Sequence, residues 1–295
     1  MNERSSVRGH LRPVLLTHCG AGSDDSVQDA ADLAGSKGLS LLRKGGSALE
    51  AVIEAIVVLE DDPRLNAGTG SRMRIDGRVQ MDAALMDSRY EAGGVAVIEN
   101  VRNPIRVARE VLDSPHVLLV GPDATAFARR KGHPFYDPAT PESRQRLEET
   151  LSKIRTGRLP RYARRWRGME LHDTVGAVAR DRRSRFAAGS STGGTAFMMP
   201  GRVGDSPLVG AGLYAGPKGA VTVTGIGEEI IKRVLSKFVY DLLAKGVSAQ
   251  AASNRGLALF RRDISVGIIA VGSRGAGTAS NRPMAFFPSP KGRTL

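Results

Sequence analysis

The stretch from Thr174 to Thr192 leaves the rest of the chain the least freedom. Thr174 opens a run in which Val175, Ala177 and Ala179 alternate with other small residues. The chain then turns through Asp181 to Arg185 and returns through Phe186, Ala187 and Ala188 to Ser190-Ser191-Thr192-Gly193-Gly194. Two such runs joined by a short polar turn predict a hairpin at the centre of a sheet. Thr174 takes the first position of the leading strand, directly after a long polar segment ending in His172-Asp173.

That placement admits two readings. A buried β-branched strand residue is the plain one. The other is that the peptide bond between Asp173 and Thr174 is cut, which makes Thr174 an N-terminal residue. An N-terminal threonine is a self-contained catalytic pair, because its own α-amine, with a reference pKa of ~7.7–8.0, can take the proton of its own hydroxyl near neutral pH. No histidine is then required, and His172 reads as the end of the linker.

With 295 residues, 41% hydrophobic content and 35 glycines, the chain suits a compact α/β or α+β enzyme and not a disordered polymer. Met1 to Pro13 is polar without an apolar signal region, and no run reaches the ~18 apolar residues of a membrane span, so a cytoplasmic protein with no membrane partner is expected. The single Cys19 cannot form an internal disulfide and is read as a small buried thiol; His18 beside it is read as a satisfied core or loop histidine. Five histidines without paired spacing give no zinc pattern, and no cofactor is required. A net charge of +13 raises nucleic-acid binding as a rival idea. The charge is concentrated at Lys153, Arg155, Arg158, Arg161, Arg164, Arg165 and Arg167, with no acid from Leu151 until Glu170. Such a run reads as a solvated, mobile linker, extending over about 133–173, and no nucleic-acid partner is expected.

Val14 to Thr17 is an apolar run that delivers the chain into His18-Cys19-Gly20-Ala21-Gly22-Ser23, a glycine turn without the Gly-Lys-Ser/Thr ending of a phosphate loop. Ser47 and Glu50 have the spacing of a capping box, so a helix starts there and runs through Val52, Ile56 and Leu59 until Asp61-Asp62-Pro63 stops it. After the loop Arg64 to Gly70, strands at Arg72–Ile75 and Val79–Ala84 are expected about the turn Asp76-Gly77. Gly93–Ile98 reads as a strand, Asn103-Pro104 as the start of a helix ending near Leu112, and His116–Val120 as a strand. Beyond the hairpin, Gly201 to Pro207 is a loop with Arg202 and Asp205 three residues apart, charges that suit a zwitterion. Ala220–Thr224 reads as a strand leading to Gly225-Ile226-Gly227. One helix then begins at Glu228-Glu229, acids suited to its positive end, with a stripe from Ile230 to Leu243. A helix from Ser248 to Phe260 and a strand from Ser265 to Val271 complete the pattern.

Several motifs now stand in one order: His18 to Gly22, Asn66-Ala67-Gly68, Asp173 to Gly176, Ser191 to Gly194, Gly201 to Pro207, and Thr224-Gly225-Ile226-Gly227-Glu228. Together they resemble the plant-type L-asparaginase, isoaspartyl peptidase and aspartylglucosaminidase family of N-terminal nucleophile hydrolases, up to about Ile269. The resemblance implies an α+β fold, a single four-layer αββα sandwich over 1–295. It also implies a precursor that cuts itself into 1–173 and 174–295, and an (αβ)2 homodimer of processed chains.

Carried over position by position, the resemblance implies that Thr174 is the nucleophile and that Thr192 hydrogen-bonds and positions its hydroxyl. Arg202 pairs with a substrate α-carboxylate and Asp205 with its α-ammonium, beside Ile226 and Gly227. The Thr224 hydroxyl and Gly225 amide form an oxyanion hole, and Asn66 belongs to a loop that supports the nucleophile. The implied substrate is a small molecule, a β-aspartyl amide: a β-aspartyl dipeptide, L-asparagine or, in the aspartylglucosaminidase branch, a glycosylasparagine. Backbone carbonyls of Leu59, Glu60, Asp62, Leu65, Ala67 and Thr69 resemble a structural sodium site. The plain alternative for Arg202 and Asp205 is a mutual ion pair, and the alternative for the whole chain is a non-catalytic member of the fold that binds acidic polymers through its basic linker. This chain departs from the pattern at Ile226, where a polar residue is usual, at Asn281-Arg282-Pro283-Met284, and at Ser88. Ile226 is accordingly expected to face the leaving group as an apolar wall.

Overall fold

The computed structural model describes residues 12–156, 174–195 and 198–288, and within them the expected hairpin occupies the middle of a seven-stranded sheet. Its strands are β1 (Val14–His18), β2 (Met81–Asp87), β3 (Ala92–Ile98), β4 (Leu118–Val120), β5 (Val175–Arg180), β6 (Phe186–Thr192) and β11 (Phe286–Phe287). They lie in the order β11-β1-β5-β6-β2-β3-β4, antiparallel except for the parallel pair β3 and β4. A second, four-stranded antiparallel sheet follows the order β10-β9-β8-β7, formed by β7 (Leu213–Gly216), β8 (Gly219–Gly225), β9 (Val266–Gly272) and β10 (Gly275–Ser280).

Side-chain alternation distributes β5 and β6 between two cores. Val175, Ala177, Ala179 and Ala187 join the apolar cluster of the helices α1 (Gln28–Arg43), α2 (Ala48–Glu60) and α3 (Pro104–Leu112). Val178, Phe186 and Ala188 point the other way, onto Leu213, Ala215, Ala220, Ile269 and Val271 of the second sheet. The far face of that sheet is covered by α6 (Gly227–Arg233), α7 (Leu235–Ala244) and α8 (Ala249–Leu257), with Ile230, Leu235, Val239 and Leu243 in the cluster. The fold is thus mixed α/β with two sheets, and every residue of β5 and β6 is buried. No helix among the described residues is long and apolar enough to cross a membrane.

The capping box at Ser47 and Glu50 is present in both directions. Other expectations need correction. The turn at Asp76-Gly77 forms, closed by the Arg74 amide on the Arg78 carbonyl at 2.8 Å, but residues 72–75 are not a strand; the Ile75 amide donates instead to the Met198 carbonyl at 3.2 Å. α4 (Gly121–Arg130) precedes the supposed linker, and part of the linker itself is ordered helix, α5 (Pro141–Arg155), which takes in Lys153 and Arg155. The start signal was there, since Thr140 and Ser143 exchange side-chain and amide hydrogen bonds (3.1 and 2.9 Å) around Pro141. Its polar stripe hid it. Residues 157–173, with the remaining arginines, His172 and the expected cleavage residue Asp173, lie outside the described residues.

The stripe from Ile230 to Leu243 is two helices and not one. Val234 adopts a left-handed conformation (φ 48°, ψ 49°) between α6 and α7. The cause is tertiary: the first-turn amides of Ser236 and Lys237 donate to the carbonyls of Ala211 and Gly210 (3.2 and 2.9 Å), which take the place of the preceding helical turn. α1 had no sequence signal strong enough to announce it. Gly35 and Gly38 interrupt its pattern because they are contact points, where a Cβ would press into the Phe287 ring and lie 2.5 Å from Leu15 Cδ1.

Candidate active site

The β5–β6 register pairs Val175 with Ser191, so Thr174, just before β5, and Thr192, the last residue of β6, stand at the same end of the hairpin. Alternation turns Ser191 back to α2, where its hydroxyl donates to Glu60 Oε1 at 2.7 Å, so Thr192 faces the second sheet together with Thr174. Thr224 and Gly225 end β8 on the opposing sheet. These residues line one small cavity, with Ala21 from the turn after β1, Gly194 and Thr195 after β6, and Arg202, Gly204, Asp205 and Ser206 from the loop before β7. Residues far apart in sequence thus meet at the ends of buried strands.

The hydroxyl partners are specific. Thr174, 7% exposed, places Oγ1 3.3 Å from Ser206 Oγ. Thr192 Oγ1 accepts from the Gly194 amide at 3.0 Å, and Thr224 Oγ1 accepts from the Ala21 amide at 3.4 Å, which leaves the Thr224 proton free for another acceptor. Asn66 braces the segment after Thr192: its Nδ2 donates to the Gly194 carbonyl at 2.6 Å, its carbonyl accepts from the Gly193 amide at 2.8 Å, and its Oδ1 accepts from the Arg72 amide at 2.9 Å.

Arg202 and Asp205 do not form the mutual pair considered above. Arg202 directs Nε and Nη2 at Glu228 Oε1, both at 3.0 Å, and Nη1 faces the Met198 sulfur at 3.9 Å. Glu228, read from sequence as a charge on a helix dipole, is also the counter-ion of this guanidinium. Asp205 is buried and its Oδ2 has no hydrogen-bond partner among the described residues. Burial pushes its carboxyl up to about 7, opposed by Arg202 and reinforced by the charges of Glu228 and Asp82. Gly227 packs directly behind the pair, where a Cβ would stand 2.8 Å from both Arg202 Nη2 and Asp205 Oδ1. Ile226 does not appear in the cavity lining: it is the N-cap residue of α6, 8% exposed, its amide on the Ser265 carbonyl at 3.1 Å.

Sequence reasoning missed the supports of the recognition loop. Asp82 on β2, fully buried, accepts from the Val97 amide at 2.8 Å and the Gly204 amide at 3.3 Å, and burial pushes its carboxyl up. Gln80 Oε1 accepts from the Gly201 amide at 2.8 Å, and the buried Arg74 reaches the Met199 carbonyl at 3.4 Å. No local pattern marks such contacts, because those that reach the recognition loop join residues more than a hundred positions apart. Two neighbours of the site are also defined. Cys19 is buried as expected; His18, also buried, has no ring hydrogen bond of full geometry among the described residues, and burial lowers its pKa to about 3, opposed by the Thr174 backbone beside it.

Among the described residues no cluster of three or more His, Cys, Asp or Glu could hold a metal ion. The carbonyls implied for sodium lie on a loop folded upon itself, with the Leu65 amide on the Asp62 carbonyl (3.0 Å) and the Thr69 amide on the Glu60 carbonyl (2.8 Å). Inside it a Cβ at Gly70 would press into the Pro63 carbonyl and lie 2.9 Å from that of Leu65. Two of the six implied carbonyls, those of Glu60 and Asp62, thus already accept amides, and neutral oxygens of this kind are the donor chemistry a monovalent cation takes.

Residues 12–289 match the family described as Asparaginase, 20 residues beyond the end of the motif resemblance at Ile269. A plant-type L-asparaginase of Pyrococcus abyssi is 45% identical over 293 aligned residues, covering 90% of this chain and 92% of the relative. An isoaspartyl peptidase/L-asparaginase of Bos taurus is 38% identical, with 90% and 88% covered. An N(4)-(beta-N-acetylglucosaminyl)-L-asparaginase of Elizabethkingia miricola is 39% identical, with 80% and 71% covered.

Proposed function

The chain belongs to the asparaginase family of amidohydrolases, and on that premise we propose that it hydrolyses β-aspartyl dipeptides and L-asparagine through Thr174, after the chain is cut between Asp173 and Thr174. The observation that carries this reading is the meeting of the Thr174, Thr192 and Thr224 hydroxyls in one small cavity with a guanidinium and a carboxylate. Three apolar clusters, one between helices and sheet, one between the sheets and one between sheet and helices, support an αββα layering.

The chemistry follows from the residues present. The freed Thr174 amine takes the hydroxyl proton, and Oγ1 attacks the β-carbonyl. Arg202 holds the substrate α-carboxylate, sharing its fork with Glu228, and Asp205 Oδ2 receives the α-ammonium. Thr224 donates its free proton to the oxyanion, with the Gly225 amide beside it. The C–N bond breaks, the amine or ammonia leaves with a proton from the Thr174 ammonium, and water cleaves the acyl ester to release aspartate. A sodium ion held by the carbonyls from Leu59 to Thr69 would hold the Asn66 loop in shape. The assembly we propose is an (αβ)2 homodimer.

The test is intact mass under denaturing conditions followed by a substrate panel. Fragments 1–173 and 174–295 are expected, with β-aspartyl dipeptide and L-asparagine hydrolysis appearing as they form. A glycosylasparagine hydrolysed better than both would move the chain to the activity named for the Elizabethkingia relative.

A further inference from the structure

The Thr174 hydroxyl has a different hydrogen-bond partner from the one expected. Thr192 Oγ1 is turned to the Gly194 amide, while Thr174 Oγ1 lies 3.3 Å from Ser206 Oγ. Ser206 is fully buried, lines the cavity and directly follows Asp205. The turn that carries it is closed by the Leu208 amide on the Asp205 carbonyl at 2.9 Å, and Gly212 lies so close beneath that a Cβ would stand 2.8 Å from Ser206 Cα. The hydroxyl is therefore presented from backbone with little freedom to move.

Resting on the N-terminal threonine reading, we infer that Ser206 is a positioning residue that donates its proton to Thr174 Oγ1 and aims that oxygen at the substrate carbonyl. The direction of donation follows from the proton count. Once the amine is free, the Thr174 hydroxyl proton must point to it, because the amine is the base that takes it. Oγ1 keeps two lone pairs: one forms the bond to the carbonyl carbon, and the other accepts from Ser206. As Oγ1 gives up its proton, the Ser206 donor faces the charge that develops there. A 3.3 Å contact is long for two hydroxyls, as is common before a site closes on its substrate. Adjacent residues of one turn then set both the ammonium anchor, Asp205, and the line of the nucleophile.

The experiment compares Ser206→Ala and Ser206→Cys with wild type and Thr174→Ala. Maturation is followed by intact mass, and matured protein is assayed with a β-aspartyl dipeptide, each variant being checked by thermal melting. Both Ser206 variants are expected to lower kcat about tenfold, the kinetic counterpart of one neutral hydrogen bond, with KM within about twofold of wild type. Cysteine fills the serine site but is a weak donor, so a packing role would be met by Ser206→Cys and the proposed role would not. An unchanged kcat in Ser206→Cys, or an effect confined to KM, overturns the inference; should Ser206→Ala fail to fold, the cysteine variant decides. Turnover by Thr174→Ala would instead defeat the underlying reading, whatever the Ser206 variants do.

Discussion

On one wall of the cavity Thr174 and Thr192 sit at the ends of adjacent strands, placed by ladder register and backed by neutral or hydrogen-bonded groups. On the other, Arg202 and Asp205 sit on a loop without a ladder of its own, fastened by the side chains of Gln80, Asp82 and Arg74 and tuned by Glu228. The strand wall is placed by backbone geometry, so the positions of its side chains respond little to charge. The loop wall is an electrostatic object, and its behaviour should follow pH and the charge of each neighbour. Where a reaction needs an atom placed accurately, strand ends supply it; where a ligand must be sorted by charge, a tethered loop can be adjusted without disturbing the sheet.

The hardest blow to the strand wall is Thr174→Ala. It should leave a single chain and lower turnover by at least about a thousandfold, whereas Thr174→Ser should retain some cleavage and some activity. Intact mass and dipeptide hydrolysis read both, and turnover by an uncut alanine variant would break the comparison at its base.

On the loop wall, Asp205→Asn and Arg202→Ala should each cost about 2–5 kcal/mol in kcat/KM for β-aspartyl substrates, because a substrate charge is left unpaired in a buried site. Maturation should proceed in both, since the cut bond carries neither charge. Loss of cleavage in either variant would show that the two walls are not separable.

A smaller effect lies in the pH profile. Binding of the α-ammonium needs Asp205 ionised, and burial has raised its carboxyl to about 7, so recognition is complete above that value and lost as pH falls through it. The Thr174 amine must also be neutral, with a reference value of ~7.7–8.0. log kcat/KM should therefore rise with a slope near one just above pH 7 and near two below it. Glu228→Gln removes a negative neighbour from Asp205 and should shift the lower break toward acid. A break that stays in place would show that Glu228 does not act on this carboxylate.

The smallest effect expected is on the strand side. Glu60 lies beneath Ser191, and burial raises its carboxyl to about 8 against the pull of Ser191 and the Ile105 amide. Between its unfolded value of 4.5 and about 8 the folded state holds a proton that the unfolded state has released, so stability falls as pH rises across that window. Glu60→Gln keeps the acceptor and removes the titration, so its melting temperature should vary less than that of wild type from pH 5 to 8.5. Equal pH dependence in the two proteins would remove Glu60 from the account.

Much of this was legible locally. The Ser47 capping box, the hairpin at Asp181 to Arg185 and the helix opened by Pro104 each depend on residues within a few positions of one another. α5 was equally local, signalled by Thr140-Pro141-Glu142-Ser143, and was passed over because its interior lacks an apolar stripe. α1 failed for the opposite reason, since its glycines answer contacts with Phe287 and Leu15 that no local rule contains.

By itself the chain determined the buried hairpin and the strand-end position of Thr174, because residue type and alternation carry that information along a few neighbouring positions, while Thr192, Arg202, Asp205 and Thr224 were singled out as a set by the family resemblance of its ordered motifs. Only the tertiary structure decided which partner each took: Ser206 for Thr174, Glu228 for Arg202, Asp82 for the Gly204 amide, and the break at Val234. Those choices depend on distances across two sheets and on how much water burial removes from a charge, and both arise only when segments remote in sequence are packed together.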